Sequence, residues 1–282
     1  MNEKRYSELI RARRSVRTFD GKGISDDIME QLRVFAASCP NPYDIPMEFR
    51  FLNAKEHGLK SPVIAGTDEY VAVKLKRVPG FEEALGYSLE KFVLDAWSVG
   101  IGTTWIGGTM DRPAFERAME LADDEIMPCV SPIGHAARRM SLKEIAMRKG
   151  VGADRRKPFE ELFFAGGFDQ PLTEAKAGQL LLPLQMVRLA PSAVNKQPWR
   201  VVIAGEYAHF YKKSGKGFSG SAVGDMQKID MGIALCHFAL GAEEAGLGAD
   251  GAGSAVELEI CDPGIPVPEK TEYIASFRFG GK

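Results

Sequence analysis

Two stretches of the sequence, residues 86–102 (GYSLEKFVLDAWSVGIG) and residues 232–248 (GIALCHFALGAEEAGLG), align without a gap at an offset of 146 residues. Both place apolar residues at helical spacing and end in glycine, which is common immediately after the C-terminus of a helix. The identical pairs include Gly86 and Gly232, Leu89 and Leu235, Phe92 and Phe238, Ala96 and Ala242, Gly100 and Gly246, and Gly102 and Gly248. The alignment predicts that the chain contains two copies of one structural unit.

A second alignment, of residues 32–51 with residues 184–203, runs at an offset of 152 residues, and a loop insertion explains the change of offset. The matched positions are Leu32 and Leu184, Pro46 and Pro198, and the strand-like triplets Phe49-Arg50-Phe51 and Val201-Val202-Ile203. Chance similarity between amphipathic helices is the alternative. The agreement of the glycines, the proline and the order of elements favours duplication.

The apolar periodicity predicts helices interleaved with strands, which indicates an α+β or α/β fold. Predicted helices are 3–12, 25–38, 86–100, 112–120, 174–189 and 226–246, and predicted strands are 47–53, 103–107, 127–134, 200–204, 207–212, 255–261 and 272–279. Gly166, Gly167 and Pro171 mark a junction between two halves, residues 1–165 and 170–282. We expect the halves to form one compact unit, an intramolecular pseudo-dimer, because a self-complementary dimer interface survives fusion.

The composition is that of an ordinary globular protein, with 45% hydrophobic and 26% charged residues among 282 and a formal net charge of −2. This balance argues against binding to nucleic acid. The sequence contains no apolar run of about 18 residues or more, and its N-terminal stretch lacks the apolar core of a signal peptide. The four cysteines have neither metal-ligand nor CxxC spacing. We therefore expect a cytoplasmic protein without a metal site.

Two basic segments are candidate anion-binding elements. Arg13-Arg14-Ser15-Val16-Arg17 follows the first predicted helix and offers guanidinium and hydroxyl donors for a phosphate or a polarised carbonyl. A second segment ends in Arg155-Arg156-Lys157-Pro158. The alternative for the first segment is a solvated helix end, where basic side chains interact favourably with the helix dipole. The chain is slightly acidic overall but has two separate basic clusters. An anion site therefore remains an interpretation beside the solvated helix end.

The stretch Pro191–Trp199 (PSAVNKQPW) predicts a loop that leads into a strand. Its Ser, Asn and Gln side chains offer donors and acceptors that suit the alternating edge of a heteroaromatic ring. An ordinary turn is the alternative, since Pro, Ser and Asn all favour turns. Proline near both ends indicates a rigid loop, which is a frequent place for binding groups.

The glycine-rich segment 100–108 (GIGTTWIGG) follows a predicted helix and enters a predicted strand. This order is the reverse of the dinucleotide-binding fingerprint, so the Rossmann interpretation is rejected. We expect its glycines to let the backbone approach a flat ligand. Segment 54–85 is either a substrate lid or an ordinary surface excursion. The histidines have no ligand spacing, and we expect His237 to be structural.

Taken together, these segments resemble the nitroreductase family of FMN-dependent oxidoreductases over most of the chain, in two consecutive copies. The shared motifs are R-x-S-x-R, P-S-x-x-N-x-Q-P-W, G-[LI]-G-x-x-W-[IL]-G and a late R-K-P. The resemblance implies a nitroreductase-like fold and an FMN site to which both halves contribute. The FMN-binding residues that it implies are Arg13, Arg14, Ser15, Arg17, Thr104, Trp105, Ile106, Gly107, Arg155, Arg156, Pro191, Ser192, Asn195 and Gln197.

The resemblance also implies hydride transfer from NADH or NADPH to flavin N5, followed by reduction of a small acceptor such as a nitroaromatic or a quinone. Arg17 is expected to stabilise negative charge at the N1/O2 end of the flavin. No side chain is an obvious proton donor, so we expect solvent to supply the proton. The alternatives are a non-catalytic flavin-binding protein and a flavin-free pseudo-dimer.

We expect one FMN per chain because the mirror-image site lacks the matching groups. The residues opposite Ser192, Asn195 and Gln197 are Pro40, Tyr43 and Ile45. The predicted helix 174–189 is not preceded by a second R-x-S-x-R, and the second copy has no late Arg-Lys-Pro. The expected state is a monomer that acts as a pseudo-dimer, with neither a nucleic-acid nor a membrane partner.

Overall fold

The computed structural model describes residues 5–215, 223–248 and 256–280. The chain divides into two compact units. The first unit is Ala12–Ala153, and the second unit combines Met1–Arg11 with Asp154–Lys282. Helix α1 (Tyr6–Ala12) therefore begins in the second unit and ends at the first residue of the first unit.

The first unit is an antiparallel sheet with helices packed on it. Its elements are α2 (Asp26–Ala37), β1 (Met47–Asn53), α3 (Ala54–His57), β2 (Glu69–Lys76), α4 (Phe81–Ser98), β3 (Gly102–Thr103), α5 (Arg112–Met119), β4 (Glu125–Ile126), β5 (Val130–Gly134) and α6 (Leu142–Gly150). The strand order is β1-β2-β5-β3, and the short β4 also pairs with β2. All of these strand pairs are antiparallel.

Strand β2 and helix α4 form the centre of the first unit. Val71 and Val73 of β2 are fully buried, as is Phe92 of α4, and helix α4 packs against β2. A central strand within segment 54–85 overturns both sequence-based interpretations of that segment, the lid and the surface excursion. The strand pattern is hard to recognise because Lys74, itself largely buried, stands among the apolar residues.

The second unit also has a five-stranded sheet, in which the edge strand β6 lies beside β7. Its remaining elements are α7 (Phe159–Leu162), β6 (Phe163–Ala165), α8 (Leu181–Leu189), β7 (Trp199–Ala204), β8 (Tyr207–Lys213), α9 (Met226–Glu244), β9 (Glu257–Glu259), β10 (Thr271–Arg278) and 3-10 turns at Glu174–Lys176, Gly178–Leu180 and Ala193–Asn195. The strand order is β6-β7-β8-β10-β9. Strand β6 runs parallel to β7, and the other described pairs are antiparallel.

The two units repeat one order of elements. The succession α2, β1, β2, α4, β5 in the first unit matches α8, β7, β8, α9, β10 in the second, and the sheet orders β1-β2-β5 and β7-β8-β10 correspond. Residues paired by the alignments occupy equivalent core positions: Leu32 and Leu184 are fully buried, and so are Phe92 and Phe238. The predicted internal repeat and the α+β class are therefore confirmed.

The unit boundary differs from the one predicted between residues 165 and 170. Helix α1 belongs to the second unit, where the backbone N–H and the hydroxyl of Ser7 donate to the carboxylate of Glu244 at 2.9 and 2.6 Å. Strand β6 belongs there because it pairs with β7. That the two halves form one compact unit stays a prediction.

Three predicted elements also differ from the structure. The strand predicted at 103–107 is reduced to β3, followed by a single bridge at Ile106. The helix predicted at 174–189 is α8 preceded by 3-10 turns, because Gly178 adopts a positive φ of 54°. The strand predicted at 255–261 is the shorter β9, and residue 255 lies outside the described residues.

Truncating the equivalent phenylalanines tests the repeated core. Phe92→Ala and Phe238→Ala are each expected to lower the free energy of unfolding by about 3–5 kcal/mol, because each removes a fully buried ring. Urea denaturation followed by circular dichroism measures the change. Leu142→Ala, at a residue that is 86% exposed, is the control and is expected to change the free energy by less than about 0.5 kcal/mol. A tolerated change at either phenylalanine would contradict the shared core.

Candidate functional site

The N-terminal basic segment lies beside the glycine-rich segment of the first unit. Ser15 and Thr103 form a parallel backbone bridge, and the N–H of Val16 donates to the carbonyl of Thr103 at 2.8 Å. The Val16 side chain is fully buried. The structure thus brings together two motifs that are far apart in the sequence and that sequence analysis assigned to one site.

The glycines before Thr103 are explained by packing within the protein. A Cβ atom on Gly102 would lie 2.7 Å from Cγ2 of Val16. Gly100 has a φ of +84° and follows the end of α4, where glycine readily adopts this conformation. Contacts inside the unit therefore account for both glycines, whereas the sequence analysis assigned them to the approach of a flat ligand.

Glu90 of α4 is a fully buried carboxylate that orients two of the predicted site residues. Its Oε2 accepts a hydrogen bond from Nε1 of Trp105 at 3.0 Å, and its Oε1 lies 3.7 Å from Nε of Arg13. The Arg13 side chain is 5% exposed, and its Nε and Nη1 atoms form no hydrogen bond with any described residue. Because unsatisfied buried donors are costly, Arg13 is a strong candidate for binding an anion or a carbonyl oxygen.

A second carboxylate, Glu144 of α6, lies among further arginines. Its Oε1 is 3.7 Å from Nη1 of Arg14. Burial lowers the pKa of Arg17, the charge of Glu144 raises it, and the charge of Arg148 lowers it further. Arginine remains protonated under such shifts because its ordinary pKa is above about 12. With Arg13, four guanidinium groups face two carboxylates here, so the net charge of this cluster is positive.

The other predicted residues of the first unit are held by backbone contacts. The N–H of Thr104 donates to Oγ of Ser131 at 3.1 Å, while the Thr104 hydroxyl is buried and has no partner among the described residues. Ile106 exchanges two backbone hydrogen bonds of 2.9 Å with the first residue of β5. The carbonyl of Gly107 accepts from Nη2 of Arg112 at 2.6 Å. The segment is therefore fixed on the sheet.

In the second unit, the loop between α8 and β7 is fastened to the late basic segment. Oε1 of Gln197 accepts from the N–H of Lys157, and Nδ2 of Asn195 donates to the carbonyl of Arg155, both at 2.9 Å. Oγ of Ser192 accepts from the N–H of Gln197 at 2.9 Å. The amides of Asn195 and Gln197 thus shape the loop, and the late basic residues group with this loop in the second unit.

The same loop has an unusual backbone. Val194, Asn195 and Gln197 have φ values of 44°, 58° and 50°, in the left-handed region that few non-glycine residues adopt. Nη2 of Arg156 donates to the carbonyl of Leu189 at 3.3 Å and ties the preceding helix end to the basic segment. Strained conformations of this kind persist when surrounding contacts enforce them, and they are frequent at functional sites.

Asp230 of α9 supports this loop from the core. Its Oδ1 accepts a hydrogen bond from the N–H of Ala193 at 2.9 Å, close to the half-buried Pro191. Burial raises the pKa of Asp230 to about 8; the hydrogen bond from Ala193 opposes this rise, and the charge of Asp225 adds to it. The carboxyl group is therefore largely protonated at neutral pH.

The charged residues that organise both loops were not predicted from the sequence: the buried Glu90, Glu144 and Asp230, and the half-buried Arg112 and Arg148. A signal existed for Glu90 and Asp230, since each interrupts the apolar face of a helix that is otherwise buried. Arg112 and Arg148 had no distinguishing pattern, because each stands among other charged residues near a helix end.

The described residues contain no cluster of three or more His, Cys, Asp or Glu side chains that could hold a metal ion. His237 is fully buried, and its Nδ1 lies 2.8 Å from the carbonyl oxygen of Met186, which fits the structural role expected for it. Within the described ranges, no helix has both the length and the apolar character needed to cross a bilayer.

The arrangement of the motifs agrees with a comparison of the whole chain. A family model described as "Putative TM nitroreductase" matches residues 6–242. The chain belongs to this nitroreductase family. A Thermotoga maritima crystal structure, also described as a putative nitroreductase, is 17% identical, with 99% of this chain and 95% of that chain covered and a TM-score of 0.63. The likeness over both copies shows that the chain has the nitroreductase fold.

Shorter nitroreductases match part of the chain. A nitroreductase family protein from Clostridium novyi is 18% identical, with 48% of this chain and 87% of that chain covered and a TM-score of 0.41. A protein from Desulfovibrio desulfuricans, described as a putative nitroreductase in complex with FMN, is 19% identical, with 51% and 96% covered and a TM-score of 0.40. No curated protein matches the sequence.

Adding a methyl group to Gly102 tests the contact that holds the basic segment. Gly102→Ala is expected to lower the free energy of unfolding by about 1–3 kcal/mol, because the new Cβ would overlap Val16. Gly108→Ala is the matched control, since nothing lies within 4 Å of a Cβ at that position. Thermal and urea unfolding of both variants gives the comparison, and equal stability would contradict the assigned packing.

Replacing Asp230 by Asn tests the buried carboxyl group. In the unfolded chain this group ionises near pH 3.8, but in the folded chain it keeps its proton up to about pH 8. Its stabilising contribution is therefore complete below about pH 4 and is lost as the pH rises towards 8. Asp230→Asn is expected to flatten the dependence of unfolding free energy on pH across this range, and Asp169→Asn, at an exposed site, is the control variant. Parallel profiles for wild type and Asp230→Asn would contradict the assignment.

Proposed function

We propose that the protein is an FMN-dependent oxidoreductase that takes electrons from NADH or NADPH and reduces a small acceptor such as a nitroaromatic or a quinone. The observation that carries the proposal is the buried Arg13 side chain, whose Nε and Nη1 donors have no hydrogen-bond partner among the described residues. Membership of the nitroreductase family supports the same reaction class.

The donor groups of the first unit fit the acceptors that FMN offers. FMN carries a phosphate dianion and carbonyl oxygens at the pyrimidine end of its ring, and both prefer guanidinium and hydroxyl donors. Arg13, Arg14, Ser15 and Arg17 would provide these groups beside the Thr104–Gly107 segment. The excess of guanidinium over carboxylate groups in the cluster favours an anionic ligand.

On the motif resemblance alone, we also propose Arg155, Arg156, Pro191, Ser192 and Asn195 of the second unit as FMN ligands. Gln197 is assigned a supporting role, because its amide is used to fasten Lys157 and to contact Asn195. The fixed backbone of this loop would present its polar groups with little loss of conformational entropy on binding. We propose one FMN per chain.

Held by Arg13, Arg14, Ser15 and Arg17, FMN would supply the two-electron redox chemistry between a nicotinamide and the acceptor. The role of the chain is to bind and orient. Glu90 holds Arg13 and Trp105 in place, so their geometry is set before the ligand arrives. Arg17 would stabilise negative charge at the pyrimidine end, and its partial burial strengthens that effect.

Solvent is the proposed source of the proton that the reduction of the acceptor requires.

The compartment that we propose is the cytoplasm, because all four cysteines are free thiols and three of them are buried.

The visible spectrum of the purified protein and its flavin-to-protein ratio test the proposal. We expect a yellow protein with a ratio near one, which bleaches when NADH or NADPH is added without oxygen. A colourless protein that takes up no added FMN would refute flavin binding. A yellow protein that neither nucleotide bleaches would indicate a non-catalytic flavin-binding protein. A flavin-to-protein ratio near two would refute the single FMN site. Unchanged FMN affinity in Asn195→Ala would show that Asn195 does not contribute to FMN binding.

Substitution of Arg13 provides the sharpest test of the site. Arg13→Ala is expected to weaken FMN binding by about 10- to 100-fold, because a hydrogen bond to a charged group contributes about 1.5–3 kcal/mol. Arg13→Lys keeps the charge beside Glu90 but loses the forked donors, so an intermediate loss is expected. Fluorescence titration of the apoprotein with FMN measures both. Arg139→Ala, at an exposed arginine of the same unit, is the control; an equal loss there would refute a specific role for Arg13.

A further inference from the structure

The two sheets end differently at equivalent edges. In the second unit, β7 has β8 on one side and the parallel strand β6 on the other. In the first unit, the matching strand β1 pairs with β2 and is the last strand of its sheet. The repeat therefore provides an internal reference for what covers this edge, and the first unit, all of whose residues are described, lacks that cover.

The cover in the second unit consists of α7 and β6. Phe159 and Phe163 are buried, and their ring centroids lie 4.5 Å apart. The side chains of Trp199 and Val201 on β7 are fully buried. An added strand thus closes the backbone edge and also fills the space beside it with aromatic side chains.

The first unit has an open cleft beside β1, between this strand and α2. The cleft has a volume of about 950 Å³, and its lining includes Arg33, Ala37, Cys39, Met47, Phe49 and Phe51. Met47 and Phe49, which match Trp199 and Val201, are only half-buried. Val34 on the neighbouring helix is 56% exposed. The exposed surface thus combines a backbone edge with apolar side chains.

We propose that β1 pairs with β1 of a second copy of this chain, in an antiparallel ladder centred on Phe49. The charge pattern of the strand favours this partner, because this register places Glu48 of each copy opposite Arg50 of the other. It also places Phe49 opposite Phe49, and Met47 opposite Phe51. Opposite charges and aromatic pairs directly across an antiparallel ladder are stabilising. A strand edge that is complementary to itself forms a closed two-fold pair.

The contacts already made by these side chains are compatible with the pairing. Arg50 contacts Glu48 at 2.7 Å and Glu120 at 2.9 Å, and Lys74 lies 3.4 Å from Glu48. Glu48 and Arg50 point to the same face of the strand, since they are two residues apart. The cross-strand pairs would extend this charge network across the two copies. The inference replaces the monomer expected from the sequence and is independent of FMN binding.

Sedimentation velocity of the full-length protein at roughly 1–100 µM tests the proposal, since self-association depends on concentration. We expect a monomer–dimer equilibrium. Glu48→Arg places like charges opposite each other and is expected to raise the dimer dissociation constant by about tenfold or more. The double variant Glu48→Arg/Arg50→Glu restores opposite charges in the same register and should recover the dimer. Glu30→Arg, at an exposed position of α2, is the matched control.

Circular dichroism melting shows which variants are folded, and hydrogen exchange of the wild type gives a readout that needs no substitution. Amide protons of β1 are expected to exchange more slowly at high protein concentration than at low concentration, while those of the covered strand β7 stay constant. A monomer at all concentrations would overturn the proposal. So would a dimer that is insensitive to Glu48→Arg, or a β1 whose exchange does not depend on concentration. Co-purification of a different protein bound to β1 would also overturn the proposal, because that protein, and not a second copy of the chain, would pair with the strand.

Discussion

The backbone bridge between Ser15 and Thr103 is the contact on which the candidate site of the first unit depends. It fixes the basic segment against the sheet and requires the Val16 side chain to be buried over a residue without a Cβ atom. Once Val16 is anchored, Arg13 is directed towards the interior, where Glu90 on α4 can meet it. The positive charge of the cluster is therefore a result of core packing as much as of composition.

Much of the fold could be predicted from the sequence because the repeat is encoded in local patterns. The apolar periodicity of α4 and α9 and their glycine ends identified two copies, and both helices are buried as expected. The sequence could not show that β6 pairs with β7 or that Ser7 reaches Glu244, because these contacts join distant residues. The candidate site was likewise predictable where it rests on local motifs and unpredictable where it rests on contacts between distant residues. Motif residues were recognisable, whereas the supporting carboxyl groups of Glu90 and Asp230 act through contacts that no linear spacing reveals.

The two copies have specialised through buried acidic residues. Glu90 of the first copy aligns with Cys236 of the second, and Asp230 of the second aligns with Ala84 of the first, at the offset of 146 residues. All four positions are buried. Each copy thus carries an acid where the other has a small side chain, and each acid supports a different loop. A buried carboxyl group is costly to introduce without a partner, so these exchanges accompany a division of roles between the copies.

The path of the chain through its two units has a consequence for biosynthesis. Helix α1 is synthesised before the first unit, and Glu244, the acceptor for both hydrogen bonds from Ser7, follows 237 residues after that serine. Domains fold as the ribosome releases them, at about 5–20 residues per second. The whole first unit therefore emerges before α1 can make these contacts. During this interval Leu9 and Ile10, which are buried in the folded chain, remain without their final neighbours, so α1 is a segment that a chaperone would shield.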